Sequence, residues 1–195
     1  MSKTIVVSGG TDGMGRAFAL ERLAQLYYLS RYLLSQRLTP LLERSATPVI
    51  VSIAGVGVTK GAINWDDPQL THGYSAIRAQ LQAGRANDLL GVTYDETAGN
   101  TVRFVLYHPG FTRSGDLSSL NAVTRTLLRI LARISAQPIS AAIHPIHAFV
   151  DAPPAQPLTA LDRGHLLPLS LPTLDPANAH RLATLTETLL SRADT

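Results

Sequence analysis

Ile5-Val6-Val7-Ser8-Gly9-Gly10-Thr11-Asp12-Gly13-Met14-Gly15 decides the fold class of this chain. Three β-branched residues bounded by turn residues read as a short strand buried on both faces. The glycines let the main chain turn tightly, and residues 16–39 that follow contain neither Gly nor Pro. Their apolar positions Phe18, Leu20, Leu23, Leu26, Leu29, Leu33 and Leu34 keep mostly to steps of three and four, which predicts a helix. Strand, glycine turn and helix together form the opening unit of an α/β fold.

The pattern repeats outward from there. Pro40 and residues 45–48 close the helical region, and Val49-Ile50-Val51-Ser52-Ile53 predicts a second buried strand. A loop with three glycines spans residues 54–61. A helix fits residues 74–90, with Gly84 inside it and Gly91 as its stop. Val102-Arg103-Phe104-Val105-Leu106-Tyr107 predicts a third strand, ended by His108-Pro109-Gly110. Residues 117–134 are helical by period, and Gln137-Pro138 ends them. A short helix over residues 140–150, kinked or started late by Pro145, precedes a turn rich in proline at Pro153, Pro154 and Pro157. Asp175-Pro176 is a helix start, Asp as N-cap and Pro at the first position, for a last helix to about residue 192. Alternating strands and helices predict one α/β domain over residues 1–195, a Rossmann-like parallel sheet with flanking helices.

Composition narrows the functional classes. With 195 residues, 45% hydrophobic and 16% charged, the chain can bury one sizeable core. A net charge of +3 from 17 basic and 14 acidic residues is weak and scattered. With six Tyr, four Phe and one Trp there is no interleaved stacking surface, so nucleic acid is not an expected partner. The absence of cysteine excludes a disulfide scaffold, a thiol nucleophile and a thiolate metal site. No apolar run reaches the roughly 18 residues of a membrane span. The N-terminus lacks the pattern of a signal peptide, and the expected location is the cytoplasm.

Gly9-x-x-x-Gly13-x-Gly15 between a strand and a helix is an arrangement that can cradle phosphate. Glycines allow close approach of the backbone, and the helix start offers unpaired N–H groups with the positive end of its dipole. Its bland alternative is a turn that binds nothing. Ser8-Gly9-Gly10-Thr11-Asp12-Gly13-Met14-Gly15-Arg16 resembles the cofactor turn of the short-chain dehydrogenase/reductase family, retinol-dehydrogenase-like branch. Tyr107-His108-Pro109-Gly110-Phe111-Thr112 resembles that family's Pro-Gly-x-x-x-Thr stretch, with the threonine earlier than usual. Ile63-Asn64-Trp65-Asp66-Asp67 and Tyr74-Ser75-Ala76-Ile77-Arg78-Ala79 look like the lead-in to its catalytic helix. The resemblance covers about residues 3–25 and 26–192. It implies NAD or NADP as cofactor, held by Ser8, Gly9, Thr11, Asp12, Gly13, Met14, Gly15, Arg85, Pro109, Gly110 and Thr112. It also implies a small carbonyl or alcohol substrate and a homo-oligomer.

The departures from the family are specific. Between Gln25 and Leu26 it would have two further strand–helix units and another strand, an apparent internal deletion at about 30 residues per unit. The adenine-ribose pocket has no visible counterpart, and Asp12 alone does not separate NAD from NADP. Family chemistry needs a Tyr-x-x-x-Lys pair on one helix, with a Ser and an Asn, to move a proton on the substrate oxygen. Aligned on Ala86-Asn87-Asp88-Leu89-Leu90, the Tyr position is Leu81 and the Lys position is Arg85. The Ser position falls within residues 53–55, which carry no hydroxyl, and the junction at Gln25 and Leu26 carries no Asn. Tyr74, two helical turns before Leu81, is a substitute about 10 Å away along a helix axis. Arg85 can hold a ribose hydroxyl or a phosphate.

Other features have plainer readings. Arg125, Arg129 and Arg133 form a basic stripe that suits either an anionic surface or solvent. His144, His147 and Asp151 share ligand-like spacing, with Pro145 interrupting, and no metal is expected. His108 stands at a strand end, where α/β sheets bind ligands. Two functional readings remain open: an NAD(P)-linked oxidoreductase homologue with replaced catalytic positions, and a non-catalytic interaction or dimerisation protein derived from the same scaffold.

Overall fold

The computed structural model describes residues 23–53, 55–97, 99, 101–110 and 139–193. In chain order they form α1 (Leu23–Leu42), β1 (Val49–Ile53), α2 (Ala76–Asp95), β2 (Arg103–His108), α3 (Ile139–Asp151), β3 (Leu158–Asp162), β4 (His165–Leu166), a 3₁₀ turn (Pro172–Leu174) and α4 (Pro176–Ala193). Strands β1, β2 and β3 lie side by side and parallel, and β4 adds antiparallel to β3. Parallel neighbours need a crossover, and α2 and α3 lie in sequence between the paired strands. The architecture is the expected α/β one, a mostly parallel, Rossmann-like sheet flanked by helices. The predicted strand Ile5-Val6-Val7, the glycine turn after it and the helix over residues 117–134 lie outside the described residues.

Both faces of the sheet are covered, which is why its strands read as near-continuous apolar runs. On one face Phe104, Leu106, Leu158 and Ala160 pack with Tyr28 of α1, Leu89 and Leu90 of α2, and Ala179 and Leu182 of α4. On the other, Val105, Tyr107 and Leu161 meet Ile146 and Phe149 of α3. The buried Tyr28 hydroxyl pairs with Thr186 at 2.9 Å and ties α1 to α4. At the start of α4, Asp175 accepts from the N–H of Asn178 at 2.9 Å, so the N-cap read from Asp175-Pro176 is present.

Four elements differ from the sequence reading. α1 continues two residues past Pro40, because a proline in the last turn of a helix removes a single N–H. α2 starts after its N-cap Ser75, leaving Tyr74 outside the helix, and runs through Gly91. Glycine there suits close packing: an added Cβ would lie 3.0 Å from Leu106 Cδ2 and 3.2 Å from Phe104 Cδ1. Pro145 lies inside α3 without dividing it. The strand Leu158–Asp162 was not expected after the proline turn; pairing with β2 creates it. It returns through Arg163 (φ 50°) and Gly164 (φ 84°), a two-residue hairpin turn with both central residues left-handed.

Candidate functional site

Ligands of open α/β sheets bind outside the carboxyl ends of the strands. Here that edge is made by Ile53, His108 and Asp162, the last residues of β1, β2 and β3. Behind it lies a buried polar hub built from α2. Asp88, fully buried, accepts from Val56 N at 2.9 Å through Oδ1 and from Gly57 N at 2.8 Å through Oδ2. Val56 has a φ of 47°, uncommon for a β-branched residue, and the converging N–H groups hold it there. Burial pushes the Asp88 carboxyl up to about 6, although the Gly57 N–H, Arg85 and the Val56 N–H all act the other way.

Arg85 completes the hub. It donates from Nη1 to Asp88 Oδ2 at 2.9 Å and to Thr173 O at 3.3 Å, from Nε to Gly61 O at 2.9 Å, and from Nη2 to Thr59 O at 2.8 Å. Four of its five N–H groups are thereby engaged inside the protein. Thr173 in turn donates to Gly57 O at 2.9 Å, which fastens the 3₁₀ turn to the loop after β1. Burial lowers the guanidinium's proton affinity, and Asp88 opposes that. The geometry makes Arg85 a cross-brace between α2, the β1–α2 loop and the 3₁₀ turn.

Nearer the solvent lies a second cluster. His108 Nδ1 and Asp162 Oδ1 are 2.7 Å apart across the β2–β3 register pair. Arg163 reaches Asp162 Oδ2 from Nη2 at 3.1 Å and from Nε at 3.3 Å, and its own N–H donates to His108 O at 2.8 Å. Burial works against ionisation of Asp162, but the hydrogen bonds from His108 and Arg163 hold its carboxyl below the usual value. Pro109 and Gly110 follow His108. Gly110 has a φ of 82°, and a Cβ there would lie 2.9 Å from Arg163 Cδ, so glycine is required by backbone and by packing.

The sequence-derived candidates are thus distributed unevenly. Pro109 and Gly110 stand at the carboxyl edge, Arg85 points inward, and Leu81 is a partly exposed apolar residue on α2. Tyr74 precedes the helix and does not share a helix face with Leu81, which corrects the two-turn spacing expected for them. Ser52 is buried in β1, and its Oγ has no hydrogen-bond partner among the described residues. Ser8, Gly9, Thr11, Asp12, Gly13, Met14, Gly15 and Thr112 lie outside the described residues, as do Arg125, Arg129 and Arg133. His144, His147 and Asp151 are exposed on α3, and no cluster suited to a metal ion occurs among the described residues. No helix among them is long and apolar enough to cross a membrane.

Asp88, Asp162, Arg163 and Thr173 were not singled out from sequence. Asp88 carried a signal, being three residues beyond Arg85 on one helix, where side chains are neighbours. Asp162-Arg163-Gly164-His165 carried another, a glycine in the second central position of a hairpin turn.

Placed against a nicotinamide dinucleotide, the residues fit in one place and not in another. The Pro109-Gly110 turn stands where the fold presents ligands, whereas Arg85 has its guanidinium turned into the protein. Arg31, whose Nη1 donates to Ile53 O at 3.0 Å, marks where α1 passes the carboxyl edge. Leu23 begins the helix eight residues earlier, about 12 Å further out along the axis. No family model matches the chain, and no curated protein matches it.

Proposed function

We propose that the chain is a cytoplasmic oxidoreductase homologue, similar to the short-chain dehydrogenases/reductases, that binds NAD(H) or NADP(H) and takes a small carbonyl or alcohol ligand. The observation that supports it best is the carboxyl edge of the parallel sheet, where β2 ends in His108-Pro109-Gly110 beside the loop after β1. Pro109 and Gly110 are the described residues that would meet the cofactor, and the bound cofactor would supply hydride. Leu81 cannot carry a proton, and Arg85 is committed to Asp88 and three carbonyls, so the family's Tyr and Lys roles are not performed at those positions.

A thermal melt of the purified chain, with and without saturating NADH or NADPH, tests this reading, because a ligand that binds only the folded state raises the midpoint by mass action. A shift with either nucleotide supports it; a cooperative melt unmoved by both overturns it.

A second reading, a non-catalytic interaction or dimerisation protein, is favoured by one observation. Tyr27, Leu34 and Leu41 are exposed on α1 at seven-residue spacing, and Ile77 and Leu81 are exposed on α2. Sedimentation analysis decides it: a dimer that Leu34→Glu dissociates supports this reading, and a monomer at high concentration refutes it.

A further inference from the structure

We propose that His108 is the group through which this site exchanges a proton with a bound carbonyl or alcohol oxygen, with Asp162 as its positioning residue. The inference rests on the dinucleotide-linked reading above and names the residue that takes over where Leu81 cannot act. His108 and Asp162 are paired in register at the ends of adjacent strands, so their side chains emerge on the same face of the sheet. Side chains alternate along a strand, and Leu106 and Ala160, two residues earlier, pack on the α1–α2–α4 face. The pair therefore leaves the sheet on the side of the buried hub.

The chemistry follows from the hydrogen bonds. Asp162 is held ionised by Arg163, and an ionised carboxylate only accepts, so Nδ1 of His108 carries the proton in the 2.7 Å contact. That fixes the tautomer and leaves Nε2 with its lone pair, and 29% of the side chain is accessible. Around the ring, β3 contributes Asp162, the β3–β4 turn contributes Arg163, and α2 contributes Asp88 with its partner Arg85. The loop after β1 meets Asp88 through the N–H groups of Val56 and Gly57, neither of them ionisable.

In the alcohol direction the neutral Nε2 takes the hydroxyl proton with its lone pair while the carbon loses hydride to an oxidised nicotinamide dinucleotide. In the carbonyl direction hydride from a reduced nicotinamide dinucleotide, which leaves oxidised, would add to the carbon as the π pair moves to oxygen. That oxygen then takes the proton from Nε2–H of the imidazolium, and the neutral ring regains one from water.

The 195-residue chain, labelled with ¹⁵N at histidine, gives the first readout. At a pH of about 8.5, two units above the ordinary imidazole value, the wild type shows His108 as the Nδ1–H tautomer. Asp162→Ala returns it to the Nε2–H form that a free imidazole prefers, and His108→Asn assigns the signal. The second readout is carbethoxylation followed peptide by peptide. NADH at ten times its Kd slows labelling of His108 about tenfold, the fraction left unbound by mass action, and leaves His144 and His147 unchanged. The third uses NADH or NADPH oxidation with a panel of aliphatic and aromatic aldehydes. His108→Asn, which preserves a donor to Asp162, keeps the melting midpoint and loses roughly 10²–10⁴-fold in rate together with one limb of the pH profile.

A wild-type Nε2–H tautomer overturns the proposal. So does a nucleotide that shifts the melt without protecting His108, or an unaltered rate and pH profile in His108→Asn. If neither nucleotide shifts the melt, the dinucleotide reading itself fails and carries this proposal with it, whatever the tautomer.

Discussion

Arg85→Lys would restore the residue type that the family resemblance calls for, and the structure says that it destabilises the protein. The guanidinium makes four hydrogen bonds to four different acceptors: Asp88 Oδ2, Gly61 O, Thr59 O and Thr173 O. A lysine ammonium has three N–H groups at a single point at the end of its stem. It can keep the bond to Asp88 and one carbonyl, but it cannot reach back to Gly61 O, which Arg85 meets through Nε. Two bonds from a charged donor are lost, at about 1.5–2 kcal/mol each, so the expected cost is about 3–4 kcal/mol. With a urea slope of about 2 kcal/mol per molar, the midpoint of unfolding falls by roughly 1.5–2 M. Leu81→Tyr, at a partly exposed position, moves stability by no more than about 0.5 kcal/mol. The double variant thus loses its stability through position 85. An Arg85→Lys midpoint within about 0.3 M of wild type would refute the assignment of Arg85 as a structural brace.

Other expectations follow from the same contacts. The Asp88 carboxyl, raised to about 6 when folded against 3.8 for the free group, binds protons more readily in the native state. Its contribution to stability therefore rises as the pH falls from 6 towards 3.8. Between pH 7 and pH 4.5 the stability of the wild type relative to Asp88→Asn grows by about 2 kcal/mol; urea titrations at the two values that show a constant or shrinking gap would exclude it. Asp67 has the opposite sign: N–H groups of His72 and Thr71 lower it to about 2, so its contribution is present above 3.8 and lost as the pH falls towards 2. Gly84 sits inside α2, and among the described residues outside its own helix the nearest atom to an added Cβ is Gly55 N at 4.0 Å, so Gly84→Ala should stabilise by about 0.5–1 kcal/mol. Gly61→Ala should destabilise by more than that, because its Cβ would fall on the Leu81 carbonyl; thermal melts that rank the two variants the other way contradict this packing. Tyr28→Phe removes a buried hydroxyl from Thr186, which keeps its bond to Leu182 O, and costs about 1 kcal/mol, read from the urea midpoint.

The sequence by itself determined the α/β alternation, because its signals are local. The β-branched run at Val49–Ile53, the apolar and aromatic run Phe104–Tyr107 within Arg103–His108, the three- and four-residue apolar steps of α1 and the Asp175-Pro176 cap are each legible within a few residues. It also showed that Leu81 cannot do proton chemistry, since that follows from residue type alone. Tertiary structure decided the rest. Leu158–Asp162 becomes a strand only because β2 offers an edge to pair with, and Gly91 stays helical because Phe104 and Leu106 press against it. Arg85 reads as a ligand-binding cation in sequence, yet beyond Asp88, one helical turn away, its acceptors come from residues 59, 61 and 173, and no spacing along the chain reveals that these converge. The same holds for His108 and Asp162, 54 residues apart in sequence and 2.7 Å apart across the sheet. Periodicity reports which residues are buried, while a site is made by long-range register, and register is fixed only when the strands pair.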